Sequence, residues 1–216
     1  MVKPYYEQDG IVIYNADCRD VLPTLDPVDL VLTDPPYGIG EAAGKNKSRG
    51  LLAAPQDYGD ATWDDVPIDP ALMDAVRGAG RTQIIFGGNY YNLPPTSCWL
   101  IWDKDNGVTD FADAEMAWTN MPKAVRLIRW RWNGMLQQRG GQDKEPRQHP
   151  TQKPLPVMRW CIQQAPDDVV TILDPFMGSG TTLRAAKDLS RKAIGIEIEE
   201  RYCETAANRL AQGVLI

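Results

Sequence analysis

The chain has 216 residues, of which 43% are hydrophobic, enough for the core of one large domain, and the whole of 1–216 reads as a single catalytic unit. No apolar run approaches the roughly 20 residues that span a bilayer, and the first residues, Met1 to Glu7, hold no signal-peptide core, so a cytoplasmic protein of a prokaryotic or phage-infected cell is expected. The net charge of −6 argues against uniform phosphate binding, but the charge is segregated. Residues 122–149 carry Lys123, Arg126, Arg129, Arg131, Arg139, Lys144 and Arg147 against only Asp143 and Glu145. Lys45, Lys47 and Arg49 form a second basic group. The four cysteines, Cys18, Cys98, Cys161 and Cys203, make no CxxC pair, so thiols are expected and no metal site. The single histidine is His149.

In chain order, residues 28–33, 83–86, 98–102, 169–173 and 192–198 are short apolar runs ending in polar turns. Such runs suit strands covered on both faces. Residues 70–79, 154–164, 181–189 and 200–212 carry apolar side chains at helical spacing. Alternation of the two predicts an α/β fold with a mostly parallel sheet, whose ligands bind at the carboxyl ends of the strands. Residues 38–62 read as a long loop: a lid, a binding loop or a disordered segment. Arg129-Trp130-Arg131-Trp132, read as a strand, puts two arginines on one face and two tryptophans on the other. The arginines then meet nucleic-acid phosphates or base edges.

Two turns carry the chemistry. The first is Asp174-Pro-Phe-Met-Gly-Ser-Gly-Thr-Thr182, between a strand and a helix, where glycines let the backbone approach a ligand. No lysine follows Gly180, which excludes a P-loop, and the third glycine of a dinucleotide fingerprint is Leu183. Glu197 ends the next strand, 17 positions after Gly180, where a carboxylate accepts hydrogen bonds from ribose hydroxyls. The ligand expected is one with a ribose and no pyrophosphate. The second turn, Asp34-Pro35-Pro36-Tyr37, is made rigid by its prolines. Asp34 and the Pro35 carbonyl are two acceptors for the hydrogens of a planar amino group, and Tyr37 is placed to stack on a base drawn out of its helix.

These elements together resemble the DNA amino-methyltransferases that modify adenine N6 or cytosine N4. Asp34 to Tyr37 resembles their catalytic motif, Asp174 to Thr182 their cofactor loop, His149-Pro-Thr-Gln-Lys-Pro154 the element before that loop, and Asn15-Ala-Asp-Cys18 a short acidic motif near the cofactor adenine. The order is similar to that of the circularly permuted β group. The resemblance implies a Rossmann-like, seven-stranded sheet with one antiparallel strand and helices on both faces. It implies S-adenosylmethionine as cofactor. Asp17 would then lie near its adenine and Glu197 on its ribose. Asp174, Phe176, Gly178, Ser179, Gly180, Thr181 and Thr182 would surround it, with Thr151 and Lys153 at the methionine end. It also implies double-stranded DNA as partner, with Lys45, Lys47, Arg49, Lys123, Arg126, Arg129, Arg131 and Arg139 as candidate contacts. The basic segment is shorter than the recognition inserts of many relatives, which points to a very short site or to a homodimer. Asp at the first position of the turn favours adenine over cytosine, since many N4 enzymes carry Ser there. It disfavours protein-glutamine methylation, where Asn is usual. RNA substrates and a DNA-binding relative without activity are the remaining alternatives.

Overall fold

A continuous apolar strand needs cover on both faces, and β3 (Val28–Thr33) shows how this is met. In the computed structural model, which describes residues 2–38, 66–107, 112–133, 136–138, 145 and 151–211, Leu30 and Leu32 enter one core cluster and Val31 the other. The first cluster lies under α3 (Leu155–Gln164), α4 (Thr181–Asp188) and α5 (Glu200–Ala211). The second lies under α1 (Cys18–Val21) and α2 (Pro70–Gly78). Alternate residues of one strand thus bind two helical layers to the sheet.

The other strands are β1 (Tyr6–Gln8), β2 (Ile11–Asn15), β4 (Gly80–Phe86), β5 (Trp99–Asp103), β6 (Ala114–Thr119), β7 (Arg126–Arg129), β10 (Thr171–Asp174) and β11 (Lys192–Glu197). With β3 they form one sheet in the order β1-β2-β11-β10-β3-β4-β6-β5-β7. Strands β8 (Trp132–Asn133) and β9 (Leu136–Gln137) make a separate antiparallel pair. The sheet has nine strands, not the seven expected. From β2 to β5 it does contain seven, of which β6 alone runs antiparallel. The two additions are edge strands. β1 folds back on β2 through Asp9-Gly10, both at positive φ, as a two-residue hairpin demands. β7 lies parallel to β5.

The predicted helices agree with those observed to within a residue or so, and α2 carries its sequence signals openly. Asp69 caps it by accepting from the Leu72 N–H at 2.8 Å, and Pro70 opens it. The expected strand over 129–132 is not formed. Strand β7 stops at Arg129, opposite the end of β5 at Asp103, and the Trp130 carbonyl accepts from the Trp102 indole at 2.8 Å instead of from a strand. The two faces still separate as expected: Trp130 and Trp132 pack partly buried against the main core, while Arg129 and Arg131 are exposed.

The chain leaves β3 towards β4 on one side, whereas β10 leads to β11 on the other. The carboxyl ends of β3 and β10 therefore flank a topological switch point, where ligands of open α/β sheets bind. On this floor Gly195 of β11 is in tight contact: a Cβ there would lie 2.4 Å from the Met177 sulfur and 2.8 Å from a Leu183 methyl. Gly195→Val is expected to destabilise the fold by about 1–3 kcal/mol through overpacking, read as a lower urea midpoint. An unchanged midpoint would contradict this packing.

Candidate active site

A cavity of about 420 Å³ opens at these strand ends, and Asp17, Asp34, Phe176, Gly178, Thr182 and Glu197 are among its walls. Its floor is the turn after β10. Asp174 is buried and accepts from the Thr33 hydroxyl at 2.8 Å, the Thr182 hydroxyl at 2.5 Å and the Phe176 N–H at 3.2 Å. Burial pushes its carboxyl up to about 6, against the pull of those donors. Gly178 and Gly180 are at positive φ, and Gly180 starts α4.

Glu197 accepts from the backbone N–H of Gly178 at 3.0 Å and of Glu199 at 2.8 Å. Burial raises it to about 7. Asp17 caps α1 through the Arg19 N–H at 2.8 Å and pairs with the Arg19 side chain at 3.2 Å. Several residues expected to surround a cofactor therefore serve the turn itself. Asp174 and Thr182 bond to each other, Ser179 donates to Gln152 at 3.3 Å, and Thr181 accepts from Arg209 at 3.0 Å. Each of these four, like Thr151, also lines the cavity, whereas Gly180 is not among the described wall residues. A buried hydroxyl or carboxylate must find a partner; Asp174 and Thr182 find each other within the turn, and Ser179 and Thr181 find Gln152 and Arg209 outside it.

Asp34 follows β3 directly. The Tyr37 hydroxyl donates to its Oδ1, and the Lys153 ammonium is paired with its Oδ2. From sequence, Lys153 is expected at the methionine end of a cofactor; it lines the cavity and is paired there with Asp34. The Lys153 and Asp34 side chains are only 8% and 18% exposed, and a charge so enclosed settles on the carboxylates within reach. The second of these is Glu115 of β6, 3.1 Å from Lys153 and 2.6 Å from Lys104. Burial alone would raise Glu115; the two lysines outweigh it and bring the carboxyl down to about 2. Burial also raises Asp34, with Lys153 opposing. Tyr37 stacks on Tyr90, centroids 4.8 Å apart and planes 14° from parallel. Gly87 makes room for this ring, since a Cβ there would be 2.0 Å from it. Tyr91 donates to the Pro36 carbonyl, and Pro35 is buried beneath the turn.

Glu115, Lys104, Gln152 and Tyr90 were not foreseen. The one signal for Glu115 is a lone acid inside Ala114-Glu-Met-Ala-Trp-Thr119. Of the candidate DNA contacts, Lys45, Lys47, Arg49 and Arg139 lie outside the described residues, as do Lys144, Arg147, His149 and most of the loop 38–62. Lys123 donates to the Gln164 carbonyl at 2.7 Å and Arg126 to that of Val125 at 3.2 Å. Arg129 pairs with Asp103 at 2.8 Å, and Arg131 pairs with Asp105.

Comparison with known proteins shows what the chain is similar to. The family described as DNA methylase matches residues 102–208. The Type II methyltransferase M2.LlaDCHI of Lactococcus lactis subsp. cremoris is 27% identical over 99% of this chain and 94% of its own. M2.DpnII of Streptococcus pneumoniae is 25% identical over 97% and 93%. The crystal structure of the M1.HpyAVI–SAM complex, 25% identical, superposes with a TM-score of 0.58 over 94% of this chain and 100% of that one. The cytosine-N4-specific PvuII DNA methyltransferase, 17% identical over 99% of this chain and 91% of that one, shares the fold with a TM-score of 0.61.

Over nearly its whole length the chain resembles the DNA amino-methyltransferases. The stretch matched by the DNA methylase family runs from the end of β5 through α5 and so includes Glu115, Lys153, the glycine turn and Glu197. The Asp34 turn lies outside it, and the near-complete alignment with M2.LlaDCHI extends over it.

Asp174 ties the strand that carries Asp34 to the helix that follows the glycine turn. Asp174→Ala leaves two buried hydroxyls without their acceptor and is expected to cost about 1–3 kcal/mol or more. Chemical denaturation reads this directly, and full retention of stability would show that the tie is dispensable.

Proposed function

We propose that this chain methylates the N6 amino group of adenine in double-stranded DNA, using S-adenosylmethionine. The observation that carries the reading is that Asp34, Asp17 and Glu197 open onto one cavity beside a glycine turn. Its volume of about 420 Å³ falls in the range of small-molecule sites. Its acidic residues suit a ligand with ribose hydroxyls, an adenine amino group and a sulfonium charge. Glu197 would take the ribose, Asp17 the adenine end, and Phe176 an apolar face. When bound, S-adenosylmethionine supplies a methyl group already activated by its sulfonium.

The rest is positioning. Asp34 and the Pro35 carbonyl accept the two amino hydrogens, which turns the nitrogen lone pair away from conjugation with the base. Asp34 offsets the positive charge that grows on that nitrogen. Tyr37 supplies a face for the extruded base. No covalent nucleophile is required. The one cysteine in the cavity wall, Cys18, is a poor candidate for such a role, because burial pushes its thiol up to about 12. Adenine is favoured over cytosine by the carboxylate at the head of the turn, where many N4 enzymes have Ser. The segment 122–149 would serve target recognition within a single catalytic domain spanning 1–216, and its exposed Arg129 and Arg131 would exchange Asp103 and Asp105 for phosphates.

Asp34→Ala is expected to lower turnover by about 10³-fold or more while leaving S-adenosylmethionine affinity, measured by calorimetry, nearly unchanged. Near-normal turnover in this variant would remove Asp34 from the chemistry.

A further inference from the structure

Asp34 has an awkward neighbour for the reaction just proposed. Both of its oxygens are engaged, one by the Tyr37 hydroxyl and one by the Lys153 ammonium. A nitrogen that becomes positive as it gains a methyl group is opposed by an ammonium held on the same carboxylate. Lys153 already touches a second anion, since Glu115 Oε2 is 3.1 Å from its Nζ. The other oxygen of Glu115 is held by Lys104 at 2.6 Å, so it can take the ammonium without giving up its own partner. Asp34, Lys153, Glu115 and Lys104 form a row of alternating charge with no net charge. An amino group arriving at Asp34 with growing positive charge makes Lys153 surplus there, and Glu115 is where it fits.

Resting on the function proposed above, we propose that Lys153 is a movable counter-ion of Asp34 and that Glu115 is the positioning residue that receives it when the target amino group binds. Before the base arrives, Lys153 neutralises a carboxylate that would otherwise be enclosed without a counter-charge. Once the base is in place, a small rotation of the lysine side chain frees Asp34 for the amino hydrogens. In the arrangement with Lys153 on Asp34, the ammonium lies 5.2 Å from the Phe86 ring centre and 5.9 Å from the Tyr37 ring centre, faces that also favour a cation. Glu115 Oε2 is buried and makes no hydrogen bond as it stands, so it has an acceptor to offer the ammonium. The charged and titratable groups facing Asp34 are Tyr37 from its own turn, Lys153 from the segment before α3, Glu115 from β6 and Asp174 from β10. Tyr91 lies beyond Tyr37.

The test is a double-mutant cycle of Glu115→Gln and Lys153→Met, with kcat and KM for methylation of duplex DNA measured across pH. Glu115→Gln leaves Lys153 fixed on Asp34, so kcat should fall about tenfold or more with KM changed less than about threefold. The acid limb of the profile should move to lower pH, because Asp34 keeps an undivided cation and loses a nearby negative charge. Lys153→Met should move that limb to higher pH, and in its background Glu115→Gln should cost less than about twofold. Glu115→Asp, which keeps the charge, should restore the wild-type limb. S-adenosylmethionine affinity of Glu115→Gln should stay near wild type, while its thermal midpoint should fall because Lys104 loses an enclosed counter-charge. An equal loss from Glu115→Gln in both backgrounds, or an unmoved acid limb, would overturn the inference and leave Glu115 as a structural residue. A wild-type protein that transfers no methyl to DNA would overturn the functional reading and this inference with it.

Discussion

The carboxylate of Asp174 holds the cavity end of the sheet together. It lies at the crevice where the sheet changes direction, and it is 3% exposed. A carboxylate there stands only if its oxygens are satisfied, and three donors from three parts of the chain satisfy them. Thr33 is the last residue of β3, Phe176 is in the glycine turn and Thr182 is in the first turn of α4. One side chain thereby sets the strand that delivers Asp34 against the turn that shapes the cavity floor. Glu197 repeats the device on the next strand by fixing the Gly178 and Glu199 amides. The cavity that joins Asp17, Glu197 and Asp34 follows from these two carboxylates.

The site gathers negative charge, and the protein offsets it unevenly. At the Asp174 and Glu197 end the offset comes from hydroxyls and backbone amides, which leaves both carboxyls raised, to about 6 and about 7. At the Asp34 end it comes from lysines, which hold Glu115 at about 2. The first arrangement suits neutral hydroxyls or a cationic ligand that brings its own charge. The second suits a reaction in which charge appears and disappears at one nitrogen. Both meet at Asp34, which donors from its own turn and from the segment before α3 hold at the cavity rim.

Much of the fold was legible because parallel strands covered on both faces have a distinctive composition. Val28–Thr33 was read with its true ends, and the helices with theirs to within a residue or so. Strand β6 was not read, because Glu115 interrupts its apolar pattern and its burial is confined to Ala117, Trp118 and Thr119. The edge strands β1 and β7 escaped because each has one side open to solvent and polar residues to match. The Arg-Trp-Arg-Trp alternation was read correctly for its faces and wrongly for its backbone, since β7 ends opposite the last residue of β5 and the Trp102 indole takes the Trp130 carbonyl. In the site, the Asp34 turn, the glycine turn and Glu197 stood out because each is a local pattern of unusual residues. The Lys153–Asp34–Glu115 cluster did not, because it joins positions 34, 115 and 153 through space, and no local pattern records an ion pair of that kind.

The claim on which the rest turns is that an amino group on a DNA base receives the methyl group. The most direct measurement is incubation with methyl-labelled S-adenosylmethionine and duplex DNA, RNA and protein in parallel, followed by nucleoside analysis of the labelled DNA. The expected product is N6-methyladenine in duplex DNA alone. N4-methylcytosine would move the substrate to the other base while keeping the chemistry, and label in RNA or protein with none in DNA would contradict the claim.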